Sequence, residues 1–407
     1  MAPKDRDILR TLGAKKAEIA LMPIHREREL LWNKLNDLRP ERPMIQIYQI
    51  PWNEMNVDDE LTLKCEDELC RGIEQSLRRE LYQWKHMPGD MIVSPVIISP
   101  YVIHDSGYGI REKSDIIRLE EGSTAPSRHF HVQIREEEDL QKIKMPIIEL
   151  DSSATEERFQ ILKNIFEGVL DVKQQGITGF WFAPWDILVR WWGVQEVLLD
   201  LAVRPELVHR GMGRLVDAYL ARLDQLVEKN LLSANHVGTN ATDQLPGEDF
   251  DPKRIKPKNM WSVGAAQIFS EVSPEMHQEF AIQHEVRWYK HFGLNYYGCC
   301  EPLHKKIPVV RLIPNLRKIS MSPWVDIEEG ARNINGDYVF SRKPNPALLA
   351  GNHWSLDLAK KELTDCLEIT ARYGCATEVI MKDISTVNHE PRRLWEWAEM
   401  AAGVVQE

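Results

Sequence analysis

The 407-residue chain has no apolar run approaching the roughly 20 residues that a helix needs to cross a bilayer; its longest runs are interrupted within about ten residues. Its opening, MAPKDRDILRTLGAKKAEIA, lacks an apolar core and a small-residue cleavage site and does not read as a secretory signal. Positive charge is also short. Against 62 Asp and Glu stand 51 Lys and Arg, a formal net charge of -11, and the pI is about 5.7. An acidic chain without a basic stripe is not expected to bind nucleic acid. Cysteine is scarce: six residues, two of them adjacent (Cys299 and Cys300), make no disulfide framework, so a reducing, cytoplasmic compartment is expected. No collagen-like or solenoid repeat is present. A dinucleotide-binding glycine turn is missing too. The first strand-like run carries Ser94-Pro95 and Ser99-Pro100, which cannot cradle a pyrophosphate. Gly211-x-Gly213 lies in a helical stretch without the third glycine or a preceding strand.

What is present is ordinary globular composition, 43% hydrophobic and 28% charged, enough for a sizeable core. Residues 1–55 are charged and helix-prone up to Pro40, Pro43 and Pro51, and read as an N-terminal helical arm. From residue 56 to 407 short apolar runs alternate with helical stretches. The runs are Met91–Ser99, Gly179–Ala183, Leu231–Asn240, Leu294–Cys299, Leu316–Met321, Tyr338–Ser341 and Thr377–Met381, with an eighth in Phe130–Ile134. Runs this short and apolar suit strands buried on both faces, as in a parallel sheet. Between them, Ser153-Ala-Thr-Glu156 forms a capping box and Ser273-Pro274 places proline at a first helical position. Val208, Met212, Leu215, Tyr219, Leu223 and Leu226 share one helix face. The alternation leaves a closed (β/α)₈ TIM barrel or a doubly wound sheet; strands spread over more than 280 residues favour the barrel. Pro95, Pro184 and Pro323 should then fall at strand ends or in the loops beyond, because proline cannot donate to a central ladder.

In a barrel the chemistry sits where strands end. The ends here are polar and aromatic: Trp181 with Trp185, Asn240 with Asp243, Tyr297 with Cys299, Cys300 and Glu301, Ser320 with Ser322, Ser341-Arg342-Lys343, and Lys382-Asp383. That clustering marks an enzyme. Thiolate and carboxylate are zinc ligands, so Cys299 and Glu301, with Asp383 from the last strand, form a candidate metal set; the alternative is two buried cysteines acting as small hydrophobes. Asp243, Lys382 and Asp383 are candidate acids or bases. Trp181, Trp185, Asn240, Tyr297 and His389 are candidate substrate contacts. His129-x-His131 is compatible with metal, but a partly exposed edge strand explains it better.

Four segments, in order, resemble the uroporphyrinogen decarboxylase superfamily, a TIM-barrel superfamily that includes corrinoid-dependent methyltransferases. They are GFWFAPWDILVRWWGVQEVLLDLAVRPELVHRGMGRLVDAYL, WSVGAAQIFSEVSPEMHQEFAIQHEVRWYKHFG, LNYYGCCEPLHKKIP and DYVFSRKPNPALLA. The match spans about residues 150–400. Where the decarboxylase branch has an Arg-rich segment and a catalytic Asp, this chain reads SPVIISPYVIHDS, which points away from tetrapyrrole decarboxylation. The methyltransferase branch binds zinc through His-x-Cys and a later Cys; here the pair reads Tyr297-Gly-Cys299 and the last strand ends Met381-Lys382-Asp383. The resemblance implies a corrinoid-linked methyltransferase acting on a small-molecule substrate, with zinc held by Cys299, Glu301 and Asp383. No Asp-x-His-x-x-Gly cobalamin module is in the chain, so the corrinoid is expected on a separate partner protein docking on an open barrel mouth. The arm is expected to pack on the barrel's flank or across a homodimer's twofold axis. Two alternatives stand beside this reading: a metal-free carbon–carbon lyase acting on a carboxylated substrate, and a non-catalytic ligand-binding barrel.

Overall fold

Five of the seven apolar runs form strands of one sheet in the computed structural model, which describes residues 2–117 and 127–406. The sheet has seven strands: β1 (Met44–Ile47), β2 (Phe180–Phe182), β3 (Trp261–Gly264), β4 (Leu294–Tyr297), β5 (Leu316–Met321), β6 (Val339–Arg342) and β7 (Thr377–Met381). All neighbours pair in parallel. The order is β1-β7-β6-β5-β4-β3-β2: consecutive strands are adjacent, and the first lies beside the last. That is the order of a (β/α) barrel, but among the described residues no ladder joins β1 to β2, so the expected closed eight-stranded barrel is corrected to a seven-stranded open one. Pro95 precedes the strand Val96–Pro100, Pro184 opens the helix Pro184–Trp192 directly after β2, and Pro323 follows β5, each where proline was expected.

The missing closure traces to runs that went elsewhere. Within Met91–Ser99 only Val96 onward is a strand, and it pairs with Asp171–Gln175 outside the main sheet. Leu231–Asn240 makes a single bridge, Leu232 to Ile177; Gly238, with φ at 60°, then turns the chain into a short 3-10 turn over Gly238–Asn240. Of Phe130–Ile134, only Phe130 is in a strand, the end of Ser127–Phe130, which pairs antiparallel with Ser114–Ile117.

Residues 1–55 are not only a helical arm. The helix Pro3–Ala20 packs through Leu9 and Leu12 on Leu77, Leu162, Ile165 and Phe166. The buried Asp5 carboxylate accepts the amides of Glu66 and Asp67. The helix Ile24–Asn36 covers the N-terminal end of the sheet, where Leu31, Trp32 and Leu35 meet Met44, Val339 and Ala376. The segment then ends in β1 itself.

Strand alternation sorts the sheet into two faces. Ile45, Ile47, Tyr297, Ile319, Met321, Phe340, Val379 and Met381 point outward into the helical layers. The inner face mixes apolar side chains such as Met44, Val339 and Leu294 with buried polar ones. Lys318 and Glu378 form a buried ion pair at 2.6 Å. Glu378 also accepts from the Ser341 hydroxyl at 2.5 Å, and Lys318 donates to the Thr239 carbonyl at 2.9 Å. The Lys318 ammonium lies over the rings of Trp32 and Trp261. Among the described residues no helix is long and apolar enough to cross a membrane.

Removing one member of such a pair strands the other. Lys318→Met is expected to lower stability by about 3–5 kcal/mol, and the double substitution with Glu378→Met to recover most of that. Urea unfolding of the two variants measures it; equal losses in both would show that the charges are not coupled.

Candidate active site

The end of β4 is set by a glycine. Gly298 has φ at 101°, and a Cβ there would stand 2.5 Å from Leu303 Cδ1 and 2.9 Å from Ser320 Cβ; neither the angle nor the space admits a side chain. The next residue, Cys299, is fixed at both of its peptide groups. Its amide donates to Glu301 Oε2 at 2.8 Å, and its carbonyl accepts from Ser320 Oγ at 2.9 Å. The other Glu301 oxygen accepts the Ala266 amide at 3.3 Å. Glu301 therefore ties the turns after β3 and β4 together from inside the wall, and burial pushes its carboxyl above its usual range against those amides.

With its backbone held, Cys299 turns its sulfur into a cavity of about 630 Å³ at the C-terminal ends of the strands. Tyr296, Lys343 and Ile380 line it below; Tyr48, Gln49, Trp181, Cys300 and Asp383 stand around it. Lys382 Nζ lies 3.0 Å from Cys299 Sγ and 2.8 Å from Asp383 Oδ2. The two sulfurs are 3.6 Å apart, and the Cys300 thiol faces Asp383 Oδ2 at 3.5 Å. The hydrogen bond from Cys300 and the Lys382 ammonium pull the Cys299 thiol down to about 7 against its burial. The hydrogen bond to Cys299, and desolvation after it, push the Cys300 thiol up. Burial opposes charge on Lys382, but Cys299 and Asp383 outweigh it and raise its pKa. Cys299 is thus the more acidic thiol of the pair, and the one expected to react first. Asp383 sits at φ 57°, and Gln49 Oε1 accepts its amide at 3.0 Å.

Lys343 is the second reactive group. It donates to the Tyr296 hydroxyl, to Ser341 Oγ at 2.5 Å and to the Ser341 carbonyl at 3.1 Å. Burial pulls its amine down to about 7, with Glu378 resisting and Lys382 adding to the fall. It touches no carboxylate directly, so near neutrality it can hold or release a proton inside the cavity.

The structure brings Trp181, Cys299, Lys382 and Asp383 together and separates the rest. Tyr297 points outward, fully buried, with its hydroxyl 2.7 Å from His277 Nε2; by strand alternation its neighbour Tyr296 faces the cavity. Trp185 is a core residue whose indole donates to the Phe280 carbonyl at 3.1 Å. Asn240 and Asp243 lie at the opposite end of the sheet: the Asn240 carbonyl accepts from Trp261, and exposed Asp243 meets Asn33 and Arg39. They are not site residues, because the run before them turned away instead of crossing the sheet. His389 is exposed in a loop anchored to Glu54. The expected zinc set is broken as well. Glu301 is turned into the wall, and an ammonium occupies the space beside Cys299. Among the described residues no three His, Cys, Asp or Glu side chains are arranged to hold a metal ion, so the residues do not fit a zinc centre. Lys343 and Tyr296 escaped the sequence reading, although Ser341-Arg342-Lys343 stands out there as a polar strand end.

The arrangement belongs to an α/β protein with a barrel-like parallel sheet and a pair of free cysteines at its C-terminal mouth. No protein-family model matches the chain, and no curated protein matches it. Among solved structures 21 chains match. One is a methyltransferase from Methanosarcina mazei, similar at a TM-score of 0.50 and 12% identity over 93% of this chain and 97% of that one. The likeness is one of fold.

Cys299 should alkylate with iodoacetamide along a pH curve whose midpoint lies at about 7. The thiolate forms as pH rises through that value. Lys382→Met removes the stabilising charge, so the midpoint should climb toward the ordinary thiol value of about 8.5. A midpoint unmoved by the substitution would contradict the assignment of Lys382.

Proposed function

We propose that this chain is a methyl-group transferase of the corrinoid-linked type, using Cys299 as its nucleophile. The observation that carries the reading is the Lys382–Cys299 contact at 3.0 Å in a cavity at the strand ends. The fold shared with a methyltransferase and the four resembling segments support it. A thiolate is a soft nucleophile suited to a methyl carbon. In the first step the Cys299 sulfur forms a bond to that carbon, the bond from carbon to the donor atom breaks, and its electron pair leaves with the donor. Lys343 or Tyr296 supplies a proton where the leaving atom needs one. In the second step the acceptor's nucleophilic atom bonds to the methyl carbon, the carbon–sulfur bond breaks, and its electron pair returns Cys299 to a thiolate beside the Lys382 ammonium. The other methyl carrier in this reading is a corrinoid on a separate protein. The rim fits an open mouth: Trp181 is 51% exposed and Cys300 is exposed. No step is assigned to zinc. Lys343 favours one second reading, a metal-free lyase in which its amine relays the proton.

Free methylcobalamin serves as the probe. Incubation should place one methyl on the Cys299 peptide, and Cys299→Ser should slow the loss of the methylated probe by about 100-fold or more. Transfer at the wild-type rate in Cys299→Ser would exclude the thiolate mechanism. Release of carbon dioxide from carboxylic acids, abolished by Lys343→Met and indifferent to Cys299→Ser, would establish the lyase.

A further inference from the structure

Methyl transfer uses one sulfur, and the cavity holds two. Cys299 is partly buried and Cys300 exposed, whereas Cys65, Cys70, Cys366 and Cys375 are buried. The sulfurs of the pair stand 3.6 Å apart. One has the Lys382 ammonium beside it, and the other has the Asp383 carboxylate within reach of its proton. Two adjacent thiols can close into a disulfide, chelate a cation or share a bridging atom, and the geometry separates these three.

A disulfide needs the sulfurs at about 2.05 Å and the Cα atoms about 4.4–6.8 Å apart, whereas a trans peptide holds neighbouring Cα atoms at about 3.8 Å. Closing the pair therefore strains the chain just where Glu301 and Ser320 hold it. A cation meets the Lys382 charge at one donor and finds no third ligand among the described residues. A bridging atom needs neither movement nor a third ligand. Two bonds of about 2.3 Å, the length of a thiolate bond to a zinc-sized atom, meet across this gap at an angle of about 100°. An atom of that kind that arrives uncharged is indifferent to the ammonium.

We propose that Cys299 and Cys300 form a two-point binding site for a neutral trivalent arsenical, a species R–As(OH)₂. Cys299 thiolate attacks arsenic; one As–S bond forms, one As–O bond breaks, and the departing hydroxide takes a proton from solvent and leaves as water. Cys300 then forms the second As–S bond. Its thiol proton passes by way of Asp383 to the second hydroxide, which leaves as water. Arsenic stays trivalent, and no oxidant or reductant enters. The cavity beside Trp181 receives the group R. The inference goes beyond methyl transfer, and it is read by binding rather than turnover, so either can fail without the other.

The test uses the reduced full-length protein and phenylarsine oxide. Intact mass should show one phenylarsenic group per chain, and a thiol titration in denaturant should fall from six to four. Cys299→Ser and Cys300→Ser should each weaken capture by roughly 100-fold or more, since each leaves a single attachment. A dithiol should release the adduct and a monothiol should not. The wild-type stoichiometry needs no variant, so a misfolded variant leaves the test intact. An adduct retained in Cys300→Ser, an adduct mapped to Cys65 and Cys70, or no adduct while both cavity thiols still alkylate would overturn the proposal. Stoichiometric zinc blocking the adduct would overturn it too, by making the pair a cation site.

Discussion

The Lys318–Glu378 pair lies inside a sheet whose other face is packed on hydrophobic layers, and much of the molecule is arranged around it. Two charges taken from water cost several kcal/mol each unless their remaining valences are filled. Here they are filled from every side: Ser341 donates to Glu378, the Thr239 carbonyl accepts from Lys318, and Trp32 and Trp261 place ring faces against the ammonium. The helix Ile24–Asn36 and the loop at 238–243 exist in their positions partly to complete that shell, since Asn36 in turn holds the carbonyls of Thr239 and Ala241. The same chain of contacts runs upward through Ser341 to Lys343 and Tyr296 in the cavity. The N-terminal end of the sheet is thereby plugged, and the C-terminal end is left for chemistry.

At that end, Glu301, one of the three candidate zinc ligands, is part of the wall. Glu301 spends both oxygens on backbone amides. Buried in the wall and absent from the cavity lining, it instead determines where Cys299 points. Reactivity then comes from charge: one ammonium stabilises the thiolate, while burial withholds charge from a second lysine a short way below. Two groups poised near neutrality by opposite causes, attraction for Cys299 and desolvation for Lys343, are what a site needs to move a proton and an electron pair together.

Five strands and their parallel arrangement could be read from apolar runs, because strands buried on both faces are recognisable without neighbours. Met44–Ile47 and Trp261–Gly264 could not. Met44–Ile47 follows two helices in the segment read as an arm, and each of the two becomes a strand only through ladder bonds to partners distant in sequence. Leu231–Asn240 had the opposite fate, its apolar start absorbed by the core and its polar end by the plug. Trp181, Cys299, Lys382 and Asp383 were legible as strand-end polar residues. Tyr297 stands where the resembling family has the His of His-x-Cys, but which of Tyr296 and Tyr297 faces the cavity depends on a parity that the run alone does not reveal. The loop at 240–243 was assigned to the wrong end because a strand's direction through the sheet is a tertiary fact.

The unjoined edge between β1 and β2 bears on the cavity in another way. Tyr48 and Gln49 follow β1, and Trp181 lies in β2, so the pocket straddles the seam. In a closed barrel the distance between those walls is dictated by backbone ladders at about 4.8 Å per strand. Across this seam it is dictated by side chains, which change rotamer at far lower cost than a ladder changes register. Tyr48, Gln49 and Trp181 are therefore the positions at which the aperture can be re-cut without changing a ladder register.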